Sequence, residues 1–320
     1  MSLIARILEV SPYAEVAARR IYWSSPWLIE RANEVGEMKP RVSTEATQET
    51  WDKIEKFLRT LGVCEGALII VQSSGAALKP TGYAPARIID KLIALVGPSG
   101  TLAMPAIPKY EGEPQGIERM RADVSDLELV YDVQNSVPWT GILPLELMRH
   151  PAAVRSRHPL NSMVAVGPLA RPMMENNMTG ERPLPCGVQS SWKFCADHRA
   201  IIVALGVDMV HSSTMIHVAE DAHEREWPIR DWYRDRKFQI VDHGVTSKVV
   251  VRERRPKWAA HYAERTISRD LKRAGLMTRA SIDGFSVAVL AADDLLRFLG
   301  ARRSAAYPYF MIPSRMKKVR

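Results

Sequence analysis

Residues 67–104 constrain the fold more than any other stretch of this sequence. The apolar run Ala67–Val71 has the length and composition of a buried strand. A helix-like segment follows at 84–96, ended by Gly97, and a second apolar run lies at 101–104. Strand, helix and strand in this order build a parallel sheet, in which ligands bind beyond the carboxyl ends of the strands. The loop after the first strand is therefore a candidate binding site.

The loop at 72–82 carries groups that can hold an anion. Ser73, Ser74 and Gly75 directly follow the first strand, and Lys79 adds a positive charge. Hydroxyls, backbone amides and the start of the next helix all donate hydrogen bonds to phosphate groups. Serine and glycine are equally typical of ordinary surface loops, so both interpretations stay open.

The remaining pattern divides the chain into two parts. Residues 1–46 read as a helical N-terminal extension, and residues 47–320 as the main α/β domain. Aromatic side chains cluster in the extension at Tyr22, Trp23 and Trp27. We expect them to pack onto the main domain or a second subunit of a homodimer, with a membrane-surface contact as the alternative. Other predicted elements are helices at 44–61 and 143–148, strands at 162–166 and 200–205, and a helix that begins at Thr214.

Composition limits the class of protein. The chain has 320 residues, of which 46% are hydrophobic, enough for a large core. Its net charge of +8 is concentrated in residues 225–320, where 22 Lys and Arg face 10 Asp and Glu. No nucleic-acid motif accompanies this charge, so a solvated basic surface is the simpler interpretation.

Cysteine usage and hydropathy indicate the compartment. Three cysteines without metal-ligand spacing argue against a disulfide framework and favour a reducing environment. No apolar run approaches the ~18 residues of a membrane-spanning helix. We therefore expect a cytoplasmic protein without a membrane span.

An acidic segment interrupts the strand pattern at residues 110–135. It contains seven acidic residues and only two arginines, with no clear period. Two interpretations are open: a solvent-exposed connection, or an active-site lid that attracts a cationic substrate.

Two short motifs concentrate groups that carry protons. The first, Arg155–Pro159, contains His158, and the second, Thr214–Glu220, contains His217. An imidazole accepts a proton near neutral pH, and a nearby carboxylate fixes its tautomer. We predict that His158 acts as a general base and that Glu220 orients its ring.

The order of these motifs resembles the aminoglycoside 3-N-acetyltransferase family. The resemblance spans about residues 47–300 and is strongest over 138–221. It implies a single α/β domain around a mixed, partly parallel sheet flanked by helices. It also implies transfer of an acetyl group from acetyl-CoA to an amine on a sugar. The matching motifs are Gly62-Val63, Gly66, Ser73-Ser74, Gly97 to Pro105, Thr140-Gly141, Arg155 to Pro159, Ser162, Gly167-Pro168-Leu169, Gly206-Val207-Asp208 and Thr214 to Glu220.

The resemblance implies roles for single residues. It places the catalytic histidine at His158, its carboxylate partner at Glu220, and His217 in the same pocket. Thr214 is expected to donate a hydrogen bond to the thioester oxygen or the leaving sulfur. Acetyl-CoA is the implied co-substrate. The loop and the resemblance together assign its contacts to Ser73, Ser74, Gly75, Lys79, Ser190, Ser191 and Thr214.

The sequence departs from the family pattern at a few positions. Gln72 and Gly75 stand where the family commonly has histidine and leucine. Ser213 stands in place of asparagine, and Ser190-Ser191 in place of Ser-Pro. These departures predict altered coenzyme contacts and leave the proposed dyad unchanged.

The acceptor and two other functions remain open at this point. The implied partner is a small-molecule amine, either an aminoglycoside or an amino sugar on a larger or anionic carrier. One alternative is a metal-dependent hydrolase that uses His211, His217 and His223, although their spacing matches no recognised zinc motif. The other is a non-catalytic binding protein with the same fold.

Overall fold

The computed structural model describes residues 11–28, 48–75, 77–209 and 214–302. Its strands are β1 (Leu68–Ser73), β2 (Thr101–Pro105), β3 (Glu128–Asp132), β4 (Val154–Arg155), β5 (Met163–Val166), β6 (Ile201–Leu205), β7 (Tyr233–Asp242), β8 (Val245–Arg254), β9 (Met277–Ile282) and β10 (Phe285–Ala291). Its helices are α1 (Pro12–Ser24), α2 (Gln48–Thr60), α3 (Pro85–Val96), α4 (Gly116–Arg121), α5 (Ile142–Met148), α6 (Ala170–Glu175), α7 (Ser191–Asp197), α8 (Val218–Asp221), α9 (Glu264–Arg273) and α10 (Ala292–Gly300). Short 3-10 turns lie at Lys79–Thr81, Thr214–His217 and Pro256–His261.

A seven-stranded mixed sheet forms the centre of the molecule, in the order β4-β5-β2-β1-β6-β10-β9. Strand β1 pairs in parallel with β2 and β6, while β5 and β10 run antiparallel to their neighbours. The predicted strand–helix–strand unit is therefore confirmed. So is the predicted α/β fold with a mixed, partly parallel sheet and helices on its faces.

The apolar strand β1 is buried because both faces of this sheet are covered. Leu68 and Ile70 point into one core cluster, with Trp192 of α7. Ile69 and Val71 point into the other. Side chains alternate between the faces of a strand, so a strand buried on both sides needs a continuous apolar run.

Gly167 allows two parts of this sheet to come together. It directly follows β5 and has φ +129°, and a Cβ at this position would lie 2.3 Å from the carbonyl oxygen of Gly100. No side chain can occupy that space, and the backbone angle itself favours glycine. The glycine of the Gly167-Pro168-Leu169 motif is thus explained by close backbone packing.

A second sheet of three strands, in the order β3-β7-β8, packs beside the first. Strands β7 and β8 form a long hairpin, and β3 joins β7 in parallel. Its own core contains Tyr131 and Phe238. The sequence pattern did not predict β3 and α4, which fall inside the acidic segment at 110–135. Part of the acidic segment therefore forms a strand, β3, of this second sheet.

The N-terminal helix α1 packs against α9 and the turn Pro256–His261. The sequence pattern predicts helix-like stretches at 3–22 and 27–35 in this extension; the described part of the first is helical, and the second lies largely outside the described residues. Of the aromatic cluster expected to pack, Tyr22 and Trp23 are half-buried, whereas Trp27 is 60% exposed. No helix in the described ranges is long and apolar enough to cross a membrane.

Candidate active site

A cleft of about 560 Å³ lies beyond the carboxyl ends of the parallel strands. The segment after β2 supplies one wall, from Ile107 to Met120. The turns that follow β6 supply His217, Glu220 and Asp221. This position agrees with the rule that ligands bind at the carboxyl edge of a parallel sheet.

Glu220 and His217 form a hydrogen-bonded pair in this cleft. The Nδ1 atom of His217 lies 3.2 Å from Oε2 of Glu220. The two residues are three apart where a 3-10 turn runs into α8, which brings their side chains to the same face. Glu220 is 1% exposed, and its other oxygen lies 3.7 Å from Nη1 of Arg254.

The second ring nitrogen of His217 is available for chemistry. Within the described residues, Nε2 of His217 forms no hydrogen bond, and the ring lines the cleft. A carboxylate at Nδ1 favours the tautomer that carries its proton there, which leaves a lone pair on Nε2. The pair therefore has the arrangement of a general base and the group that orients it.

The described residues show no hydrogen bond between His158 and Glu220, so the predicted orienting contact is not found there. The His158 side chain is 2% exposed, and the hydrogen bonds of its ring within the described residues go to backbone groups of Leu160 and Pro183. Its Nε2 lies 3.2 Å from the carbonyl oxygen of Pro183, and its Nδ1 lies 2.9 Å from the carbonyl oxygen and 3.2 Å from the amide nitrogen of Leu160. Burial lowers the pKa of His158 to about 4. Its nitrogens are thus committed to the backbone, and Glu220 bonds His217 instead.

Asp221 adjoins the pair and is also buried. It accepts hydrogen bonds from the hydroxyl of Tyr233 at 3.0 Å and from the backbone amide of Cys186 at 3.1 Å. Burial raises the pKa of Asp221 to about 7, and the charge of Glu220 adds to the rise. Near neutral pH this carboxyl group is therefore partly protonated.

The serine loop lies at the carboxyl end of β1, as predicted. Ser73 ends the strand, and the carbonyl oxygen of Ser74 accepts the two amide hydrogen bonds of the following turn. Gly75 packs against Ile142, where an added Cβ would lie 3.2 Å away. Lys79 is exposed at the start of a 3-10 turn. Half-buried hydroxyls and an exposed cation are compatible with an anionic ligand.

Gln72, one residue earlier, has an unusual environment. Its side chain is 3% exposed, and neither its oxygen nor its nitrogen has a hydrogen-bond partner among the described residues. Buried amides are nearly always hydrogen-bonded. This carboxamide can therefore bond to a ligand or a water molecule at the base of the loop.

Ser190 and Ser191 lie at the start of α7, and Thr214 lies at the start of the turn that carries His217. The hydroxyl of Ser190 caps α7 by accepting the amide of Lys193, and the amide of Ser191 donates to Asn177. Both serines are buried. Thr214 begins the 3-10 turn that carries His217, and Ser213 lies outside the described residues.

The cleft also contains a charge network that the sequence analysis missed. Arg236 is completely buried and pairs with Glu113 at 3.2 Å and with Glu253 at 2.8 Å. Glu253 also pairs with Arg119 and Arg234. The acidic side chains of the cleft are thus largely neutralised. The four consecutive charged residues at 234–237 of β7 were the available signal, but Glu113 lies 123 residues from Arg236, and such a pair cannot be assigned from spacing.

The described residues contain no group of three His, Cys, Asp or Glu side chains that could hold a metal ion. His217 is engaged with Glu220, and His211 lies outside the described residues. The three-histidine hypothesis therefore gains no support from this part of the chain.

Solved structures first define the class of protein. The chain is similar in fold to a structure described as AAC-IIIb binary with CoASH, with a TM-score of 0.67 and 20% identity over 81% of this chain and 97% of that one. It is also similar to the aminoglycoside acetyltransferase AAC(3)-Xa, with a TM-score of 0.65 and 22% identity over 81% and 93% of the two chains. The fold is thus that of the aminoglycoside acetyltransferases.

Sequence comparisons then give the family. The model of the aminoglycoside 3-N-acetyltransferase family matches residues 70–302, so the chain belongs to this family of acetyl-CoA-dependent acyltransferases. It is 28% identical over 273 residues to aminoglycoside N(3)-acetyltransferase VIII of Streptomyces fradiae, covering 78% of this chain and 90% of that protein. The corresponding enzyme III of Serratia marcescens is 34% identical over 176 residues, which span 53% of this chain and less than two thirds (64%) of that protein. The resemblance read from the motifs is confirmed.

Proposed function

We propose that this chain transfers the acetyl group of acetyl-CoA to an amino group of an aminoglycoside or a related amino sugar. Family membership supports the reaction class. The observation that carries the mechanism is the His217–Glu220 pair at the wall of the cleft. Related structures are described as bound to CoASH and to sisomicin, which supports a ternary complex of coenzyme and amine.

In the proposed mechanism, His217 is the general base. The amine nitrogen attacks the thioester carbonyl carbon while Nε2 of His217 accepts the amine proton. Glu220 accepts the Nδ1–H bond and stabilises the imidazolium that forms. The C–S bond then breaks, and the thiolate of coenzyme A takes up the proton. We assign His158 a structural role in place of the base role expected from the sequence.

Direct attack is favoured over an acyl-enzyme. Burial raises the pKa of the thiols of Cys186 and Cys195, so both remain protonated and shielded. We assign the coenzyme contacts to Ser73, Ser74, Gly75 and Lys79, and a hydrogen bond to the thioester oxygen or sulfur to Thr214. Contacts of Ser190 and Ser191 with the coenzyme stay a prediction.

The test is acetyl-CoA turnover, measured as thiol release with sisomicin and with glucosamine as acceptors. Sisomicin is a polycation, and glucosamine is a sugar with a single amine. Both acceptors are tested because the acidic side chains of the cleft are largely paired with arginines, so the charge of the cleft does not indicate which acceptor binds. We expect His217→Ala and Glu220→Gln to lower kcat by about 10²–10⁴-fold, the usual contribution of a general base. The matched control is His243→Ala, whose side chain is 84% exposed. Full activity of His217→Ala would refute the assignment.

A further inference from the structure

A buried carboxylate fixes the N-terminal helix α1 to the main domain. Glu15 is 1% exposed and accepts hydrogen bonds from the amides of Arg265 and Thr266 and from the hydroxyl of Thr266. These amides belong to the first turn of α9, where backbone N–H groups have no partner within the helix. The carboxylate of α1 therefore caps α9 and also meets the positive end of its dipole.

Further contacts set the direction of α1. Arg19, one turn after Glu15, pairs with Glu264 at 2.6 Å. Val16 is buried, and the helix also packs against the turn Pro256–His261. With contacts on two elements, α1 is held in one orientation on the surface of the main domain.

This orientation brings Trp23 to the cleft. Trp23 lies seven residues after the buried Val16, which places both on the same face of the helix. It lines the same cavity as His217 and Glu220, next to Pro256 and Ala259 of the turn on which α1 packs. The helix thus forms an additional wall of the candidate active site.

This wall lies outside the part of the chain that matches the family. The match begins at residue 70, whereas α1 spans Pro12–Ser24. Trp23 is accordingly a feature of this chain, added to a cleft whose reactive pair lies inside the matched region. A residue at this position on the cleft wall can affect which molecule binds in the cleft. It does not alter the His217–Glu220 pair.

We infer that Trp23 is a specificity-determining residue that contacts the acceptor. An indole ring offers an apolar face to the C–H face of a sugar ring and attracts an ammonium group through cation–π interaction. An amino sugar presents both. Trp139, which is 64% exposed, lines the same cleft and offers a second aromatic surface. The inference rests on the proposed function, because it assigns the acceptor of that reaction.

The experiment compares Trp23→Ala and Trp23→Phe with Trp27→Ala. Trp27 lies on the same N-terminal segment, is 60% exposed and does not line the cleft. With sisomicin and glucosamine as probes, Trp23→Ala should raise the acceptor KM about tenfold, as expected for loss of an aromatic contact with a cation. The kcat and the KM for acetyl-CoA should stay within about twofold, and Trp23→Phe should retain most of the affinity. Trp27→Ala should behave as the wild type.

The outcomes separate this inference from the proposed function. An unchanged acceptor KM in Trp23→Ala, with an active wild type, overturns the role of Trp23 alone. An equal rise in Trp27→Ala, or a rise in the KM for acetyl-CoA, also overturns it, since either indicates a general disturbance of the structure. A wild type that releases no thiol with either amine refutes both proposals. Calorimetric titration with sisomicin supplies a readout besides activity: the Kd should rise tenfold in Trp23→Ala only.

Discussion

At the scale of single residues, the structure places the two histidines of the motifs in different surroundings. His158 stands in the more distinctive motif, but its ring bonds to the backbone of Leu160 and Pro183 and holds two loops together. His217 reaches Glu220 because the two are three residues apart on one turn. The spacing of His217 and Glu220 in the sequence indicated that these two side chains could meet. The sequence could not exclude a contact between His158 and Glu220, because tertiary packing decides whether a ring is buried.

The buried ring of His158 predicts a dependence of stability on pH. Below the ordinary pKa of about 6.5, the unfolded chain takes up a proton on this ring. The folded chain does so only near pH 4, because burial lowers the pKa of His158. Protonation therefore favours unfolding between these pH values, and the contribution of His158 to stability is lost as the pH falls.

Urea unfolding at pH 7 and pH 5 measures this effect. The difference in free energy of unfolding between the two pH values should be smaller in His158→Gln than in the wild type by about 2 kcal/mol. His243→Gln, at an exposed position, should keep the wild-type difference. Equal differences in all three proteins would contradict the buried, neutral state of His158.

At the scale of elements, four apolar strands of the central sheet were predicted from the sequence, whereas the apolar strand β10 and the polar strand β3 were not. Strands β1, β2, β5 and β6 appear within two residues of their expected positions because each must be apolar to lie in a sheet covered on both faces. In contrast, β3 alternates exposed and buried residues inside an acidic stretch. Because the exposed residues around it are mostly polar, the two-residue alternation typical of a strand is hard to recognise in the sequence of β3. The serine loop followed from β1, whereas Trp23 and Glu253 reach the cleft through contacts between distant parts of the chain.

The cap that α1 gives to α9 predicts a measurable contribution to stability. Glu15→Ala removes three hydrogen bonds to the first turn of α9. We expect the free energy of unfolding to fall by about 2 kcal/mol, at the upper end for loss of a helix cap because the site is buried. Denaturant titration provides the measurement. Glu49→Ala, in the first turn of α2 and 74% exposed, should change it little, and an equal loss there would argue against a specific cap.

At the scale of the whole molecule, the cleft is formed by parts that are far apart in the chain. The seven-stranded sheet positions the His217–Glu220 pair, the smaller sheet adds Glu253 and Arg254, and α1 adds Trp23. The proposed reactive pair thus lies in the part of the chain that matches the family, while Trp23 comes from a helix outside that part. A homodimer and the division at residue 46 stay predictions.

The proposed reaction needs no metal ion, and this is testable on the whole protein. His217 is bonded to Glu220, and the described residues hold no three-ligand cluster. We expect dialysis against a chelator to leave acetyl-CoA turnover unchanged. A loss of turnover that zinc restores would instead favour the metal-dependent alternative.

The attachment of α1 also determines when the acceptor site is completed during synthesis. Glu15 leaves the ribosome early, but its partners Arg265 and Thr266 follow 250 and 251 residues later. At about 5–20 residues per second, this delay is roughly 10–50 s. The wall that carries Trp23 can therefore take its place in the cleft only after residues 265 and 266 of α9 have been made.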